Sequence, residues 1–191
     1  MTADDRPIAD ALVVVDVQHA FVYGARAVPA AQQLLTVVDD LLVRARSAGV
    51  TVVLVQNDGP PGAPEEPETP GWALAVERGD GDLLVRKEAD DAFEGTSLQA
   101  DLRERGVTSI AVAGLHSEMC VAATVRGALA GGFGVVLPHD AHATQPAPAW
   151  AGVADEVPAA VVSRVAEWSV GDQAVLVPHA ADVRFERSGA S

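Results

Sequence analysis

The chain has 191 residues, 49% of them hydrophobic, and a formal net charge of −14 from 27 acidic and 13 basic side chains. That size suits a single domain, 1–191, with a substantial core, and no apolar run approaches the roughly 18 residues that span a bilayer. Such an acidic balance argues against nucleic acid as a partner, because phosphate binding needs clustered Lys and Arg. It favours the approach of a cationic substrate, with plain solubility as the simpler reading.

The opening "MTADDRPIAD" holds three aspartates and no apolar stretch, so no secretory signal is expected. "ALVVVDV" (Ala11–Val17) is a short β-branched run, as expected of a strand buried on both faces. The spacing predicts a helix from about Pro29 to Ala48, with Pro in its first turn and Gly49 as its stop. "VTVVLVQ" (Val50–Gln56) is a second buried strand. The Pro- and Gly-rich stretch Asn57–Gly71 cannot be regular structure and reads as a functional loop or lid.

"DLLVRK" (Asp82–Lys87) is a third strand. It ends on the single lysine of a chain that carries 12 arginines. Arginine cannot replace lysine where a compact ammonium is needed, although chance survival of one neutral lysine explains it equally well. "TSLQADLRERG" predicts a helix capped by Thr96 or Ser97 and stopped by Gly106. "TSIAVAG" (Thr108–Gly114) is the fourth strand, and a helix is expected to begin near Cys120. "GVVLP" (Gly134–Pro138) is the fifth strand, followed by a helix around Val157–Trp168 and a last strand Ala174–Pro178.

Strands alternating with helices predict a three-layer α/β/α fold around a mostly parallel sheet of about six strands. Ligands of such folds bind beyond the carboxyl ends of the strands. Asp16 and Gln18, Asn57 and Asp58, Lys87, Leu115–Cys120, Asp140 and His142 all fall at that edge. Cys120 is the only cysteine, which rules out an internal disulfide and suits a reducing cytoplasm. At a helix N-terminus its thiolate would gain from backbone N–H groups and the dipole. Asp16 could take the thiol proton and return it to a leaving nitrogen, while Lys87 holds the carboxylate and stabilises negative charge. Each residue alone has an ordinary alternative: an inert core thiol, a turn aspartate, a solvated lysine.

Four stretches carry a resemblance: "VVDVQHAF" (Val14–Phe21), "RKEADDAFEGTSL" (Arg86–Leu98), "AGLHSEMCVAATVRGA" (Ala113–Ala128) and "LPHDAHAT" (Leu137–Thr144). In that order they resemble the isochorismatase-like cysteine hydrolases, over roughly residues 10 to 185. The resemblance implies a catalytic triad of Asp16, Lys87 and Cys120. It also implies a cis peptide between Leu115 and His116, with the N–H groups of His116 and Cys120 as an oxyanion hole. Gln18 and Phe21 match the family's D-x-Q-x-x-F pattern; with Asn57 and Trp72 they are the candidate substrate-binding residues. Trp150 is a further candidate to cover substrate, with ordinary packing the alternative, and His139 and His142 read as turn or supporting residues.

Departures from the family narrow the expectation. Nicotinamidases of this type hold a metal with an Asp-x-His pair after the second strand and a further His, whereas this chain reads "VQNDGPPGAP" there, with no histidine between His19 and His116. No catalytic metal and no cofactor are therefore expected. Isochorismatases proper lack the nucleophilic cysteine, which leaves amides, carbamoyl compounds or a lactam, such as that of the cationic antibiotic streptothricin. A nicotinamidase or isochorismatase activity, or a redox-active thiol protein without hydrolysis, stay open as alternatives. The family also implies a homo-oligomer, for which "VPAAVVSRVAEW" is a candidate face.

Overall fold

The computed structural model describes residues 5–187. In chain order the elements are β1 (Ile8–Ala9), β2 (Ala11–Val15), α1 (His19–Val22), α2 (Ala31–Ser47), β3 (Thr51–Asn57) and β4 (Leu83–Lys87), then α3 (Leu98–Glu104) and β5 (Ser109–Leu115). They continue with α4 (Ala122–Ala130), β6 (Gly134–Pro138), β7 (His142–Ala143), α5 (Ala159–Ser169), β8 (Val175–Val177) and β9 (Arg184–Phe185). No helix among the described residues is long and apolar enough to cross a membrane.

Six strands lie side by side in the order β4-β3-β2-β5-β6-β8, with the short β7 paired to the end of β5. Every pairing in this sheet is parallel. The expected three-layer fold is present, and its strands are buried on both faces because their side chains divide by alternation. Leu12 and Val14 of β2, Val52 and Leu54 of β3, and Ala111 and Ala113 of β5 pack on the α2 side. Ala11, Val13 and Val15, Val53 and Val55, and Ile110 and Val112 pack with Leu98, Leu102 and Val125 of α3 and α4.

The chain steps from β2 outwards to β3 and β4, then returns to place β5 on the other side of β2. The carboxyl ends of β2 and β5 therefore form the switch point where such sheets leave a crevice. Two backbone features sit there. Asp16, directly after β2, has φ 54°, a left-handed conformation that Asp tolerates better than most residues. It ends the strand two residues before the expected Val17. Opposite it, Gly114 has φ 126°, and a Cβ there would lie 2.0 Å from the Val15 carbonyl oxygen, so only glycine lets β5 lie this close to β2. The Leu115–His116 peptide is cis.

Local departures from expectation have identifiable causes. The turn after β5, Ser117–Val121, is wound wide: the Met119 and Val121 N–H groups both donate to the His116 carbonyl, at 3.1 and 3.2 Å. Helix α4 proper therefore starts at Ala122 rather than at Cys120. At α3 the Thr96 hydroxyl accepts the Leu98 N–H at 3.2 Å, while the Ser97 hydroxyl instead donates to Asp101. The segment before α5 folds back as a small antiparallel ladder, Ala147 opposite Val157 and Trp150 opposite Ala154, with the Trp150 side chain exposed.

Candidate active site

Three parallel strands, β2 and β5 side by side and β4 one strand further out beyond β3, deliver the central groups. Asp16 follows β2, Lys87 is the last residue of β4, and Cys120 sits in the wide turn after β5. All three are buried, Asp16 and Lys87 to within 2% of full enclosure. Lys87 Nζ lies 2.8 Å from Asp16 Oδ2. The same ammonium donates to Cys120 Sγ at 3.3 Å and to Asn57 Oδ1 at 3.2 Å. A lysine has three protons, and here each has its own acceptor. Asp16 Oδ1, by contrast, is buried without a hydrogen-bond partner.

The electrostatics correct one expectation. A position at a helix N-terminus would lower the thiol pKa, yet Cys120 lies ahead of α4 and its pKa is pushed far up. Burial is the largest cause, the neighbouring Asp16 carboxylate adds to it, and the Lys87 ammonium only partly offsets both. Asp16 is itself raised above the ordinary carboxylate range by burial, against the pull of Lys87. For Lys87 burial disfavours the charge, but Asp16 and Cys120 outweigh it and the pKa rises. The resting site is therefore a neutral thiol beside an ammonium–carboxylate pair whose carboxylate is more basic than usual. At neutral pH, iodoacetamide should label folded Cys120 slowly. The rate should keep climbing beyond the free-thiol midpoint of about 8.5, as intact mass against pH would record. A plateau below that midpoint would contradict this charge assignment. A sensor thiol needs a low pKa and access, so this state gives no support to the redox reading.

The surrounding residues form a frame. Gln18 is fully buried: its Nε2 donates to the Asn57 and Trp72 carbonyls, both at 3.0 Å, and its Oε1 accepts the Asn57 N–H at 2.9 Å. The Gln56 amide donates to the same Trp72 carbonyl at 2.8 Å. The Trp72 indole N–H donates to Asp58 Oδ1 at 2.8 Å, while the Arg86 guanidinium stacks on its ring, 4.9 Å from the centroid, and pairs with Asp58. Asp58 thus already has two partners, and the loop 58–72 is tied down at both ends. Phe21 meets the His116 ring edge-on at 5.0 Å, and burial lowers the His116 pKa, so that ring stays neutral.

Sequence reasoning did not anticipate Asn57 as a partner of Lys87, nor Asp90, whose Oδ1 lies 3.6 Å from Cys120 Sγ. Asp90 follows Lys87 by three residues, a spacing that carries no periodic signal of its own. Two polar contacts of Ser117 in the turn that carries Cys120 were equally invisible: His142 Nδ1 at 2.8 Å and Ser163 Oγ at 2.9 Å.

Comparison with known proteins decides the family. The isochorismatase domain model matches residues 10–167. The chain belongs to the isochorismatase family. This family member is 57% identical over 182 residues to a streptothricin hydrolase of Streptomyces noursei, covering 94% of this chain and 72% of that protein. A second streptothricin hydrolase of Streptomyces noursei is 56% identical over 177 residues, but the chain spans only 64% of its length. In structure, the chain superposes on an isochorismatase of Pseudomonas putida with a TM-score of 0.84 at 27% identity, covering 96% of each chain. The isochorismatase-like α/β fold inferred from spaced motifs is thereby confirmed.

Proposed function

We propose that the protein is a cysteine hydrolase that cleaves a non-peptide C–N bond, an amide or lactam, in a small and cationic molecule, streptothricin being the leading candidate. The observation that carries this reading is the contact set around Lys87, which touches both an acid–base carboxylate and the only thiol at the sheet's switch point. The 57% identity to a streptothricin hydrolase supplies the candidate substrate, and the net charge of −14 favours its approach.

The chemistry follows from the charges. A substrate carbonyl arrives beside Cys120, and Asp16, whose Oδ1 is free of partners, accepts the thiol proton as sulfur attacks carbon. Lys87 remains charged and offsets the negative charge that develops on sulfur. The carbonyl oxygen becomes an oxyanion, held by the backbone N–H groups of His116 and Cys120. Protonated Asp16 gives its proton to the nitrogen, the C–N bond breaks, and a thioester remains on Cys120. Water then loses a proton to Asp16 and adds to the thioester carbon. The thiolate leaves and recovers the proton, and the product is a carboxylic acid with a free amine. In a lactam both product groups stay on one molecule. Gln18 and Asn57 act as struts that place Lys87 and the loop end at Trp72.

The test offers streptothricin and nicotinamide separately to the purified protein and follows hydrolysis by liquid chromatography with mass detection. Streptothricin should be opened with the gain of one water and a kcat/KM at least about 10²-fold above nicotinamide, a margin that pocket discrimination can supply. Turnover of nicotinamide with streptothricin left intact would overturn the substrate assignment.

A further inference from the structure

Behind the nucleophile turn lies a buried polar chain that the reaction scheme above does not use. Glu167 and His142 are both buried, as are Ser163 and Ser117. His142 Nε2 lies 3.2 Å from Glu167 Oε1, within ion-pair reach but without hydrogen-bond alignment, so the contact orients the ring by charge. His142 Nδ1 reaches the Ser117 hydroxyl at 2.8 Å, and that hydroxyl also contacts Ser163 Oγ at 2.9 Å. His139 contacts the same Glu167 oxygen, and Arg164 approaches the other at 3.4 Å. The chain joins two elements to the turn that carries Cys120: α5 supplies Glu167 and Ser163, and β7 supplies His142.

Such an arrangement costs stability unless every group is satisfied, and an apolar core of the same volume would be as stable or more so. Its value lies in fixing one geometry. Burial alone would raise Glu167, but contact with His142 and His139 holds it below the ordinary carboxylate range, so it carries a negative charge. A carboxylate facing Nε2 favours a proton on that nitrogen and leaves Nδ1 to accept the Ser117 hydroxyl proton. Ser117 in turn accepts from Ser163. Backbone pairing fixes the same spot: His142 lies opposite Gly114 and Ala143 opposite Leu115, immediately before the turn. His142 and Ser163 also line an open cleft of about 410 Å³ between the starts of α2 and α5.

We propose that His142, oriented by Glu167 and bonded to Ser117, is a positioning residue that holds the Ser117–Val121 turn so that Cys120 Sγ stays within reach of Lys87. This rests on Cys120 being the nucleophile. A loosened turn misplaces the sulfur without removing any group that touches substrate. Misplacement by about 1 Å costs on the order of 10²-fold in rate, and its mark is a loss in kcat with KM retained.

The test compares His142→Ala, His142→Asn and Ser117→Ala with the unmodified chain in kcat, KM and melting temperature, each assayed well below its own melting point. His142→Ala should lose on the order of 10- to 100-fold in kcat with KM within about twofold. His142→Asn, whose short amide can still bond Ser117, should recover to within roughly threefold of the unmodified kcat. Ser117→Ala removes one oxygen from the turn and should match His142→Ala. If His142→Ala does not fold, Ser117→Ala decides alone. Unmodified kcat in the alanine variants, or equal losses in the Ala and Asn variants that follow melting temperature, would overturn the proposal. Cys120→Ala in the same assay separates the premise: turnover surviving there defeats the nucleophile itself, whatever His142 does.

Discussion

Cys120→Ala is expected to remove amide turnover, lowering kcat/KM by about four orders of magnitude or more, while the protein stays folded. In the proposed route the sulfur forms the acyl intermediate, and no second cysteine exists to substitute for it. Its structural part is small. Cys120 is 9% exposed and packs at the margin of the α3–α4 core, so replacement by alanine should cost only about 1 kcal/mol. Rate assays and thermal melts on one preparation separate the two effects. A variant retaining a tenth of the activity would show that water is activated directly and that the thiol is a bystander.

Lys87→Met should damage both folding and chemistry. The ammonium side chain is fully enclosed and lies 2.8 Å from Asp16. Removing one member of a buried ion pair leaves the other unpaired, at a cost of about 3–5 kcal/mol. The pH dependence carries a sign. In the variant, burial raises the Asp16 pKa with no ammonium left to oppose it. A carboxyl whose folded pKa lies above its unfolded value stabilises the protein at low pH and loses that contribution as pH rises through the folded value. The deficit of Lys87→Met should therefore be smallest in acid and grow towards neutrality, as urea melts across pH would record. Lys87→Arg should not restore activity, since a planar fork cannot direct three donors to Asp16, Cys120 and Asn57 as the compact ammonium does. Melts of Lys87→Met that show no dependence on pH would contradict a charged pair in the resting site.

Much of this architecture was legible before any coordinates. Runs such as Leu12–Val15 and Val52–Val55 are apolar at every position, which only a strand covered on both sides explains, and their alternation between the two cores follows from the pleat. Because parallel strands all end at one edge, Asp16, Lys87 and Cys120 could be placed near each other from chain position alone. Contacts that depend on where long side chains turn were not legible. The amide of Gln18 binds the Asn57 backbone and the Trp72 carbonyl, and Asn57 shares Lys87 with Asp16 and Cys120, none of which leaves a periodic trace. The Cys120 pKa went the other way for a related reason. A helix-terminus argument counts only local backbone, whereas burial and the Asp16 carboxylate come from the whole fold. His142 read as a turn or supporting residue with no partner named, because its partners lie 25 positions away at both Ser117 and Glu167.

The most direct test of the central claim is intact mass after acid quench of the protein mixed with excess streptothricin in the first turnovers. A lactam keeps its amine attached when the C–N bond breaks. The account therefore predicts an adduct equal to the whole antibiotic, on the peptide containing Cys120, released by hydroxylamine and absent from Cys120→Ala. Acid-quenched protein that turns substrate over at full rate without carrying any such adduct would contradict the thioester route.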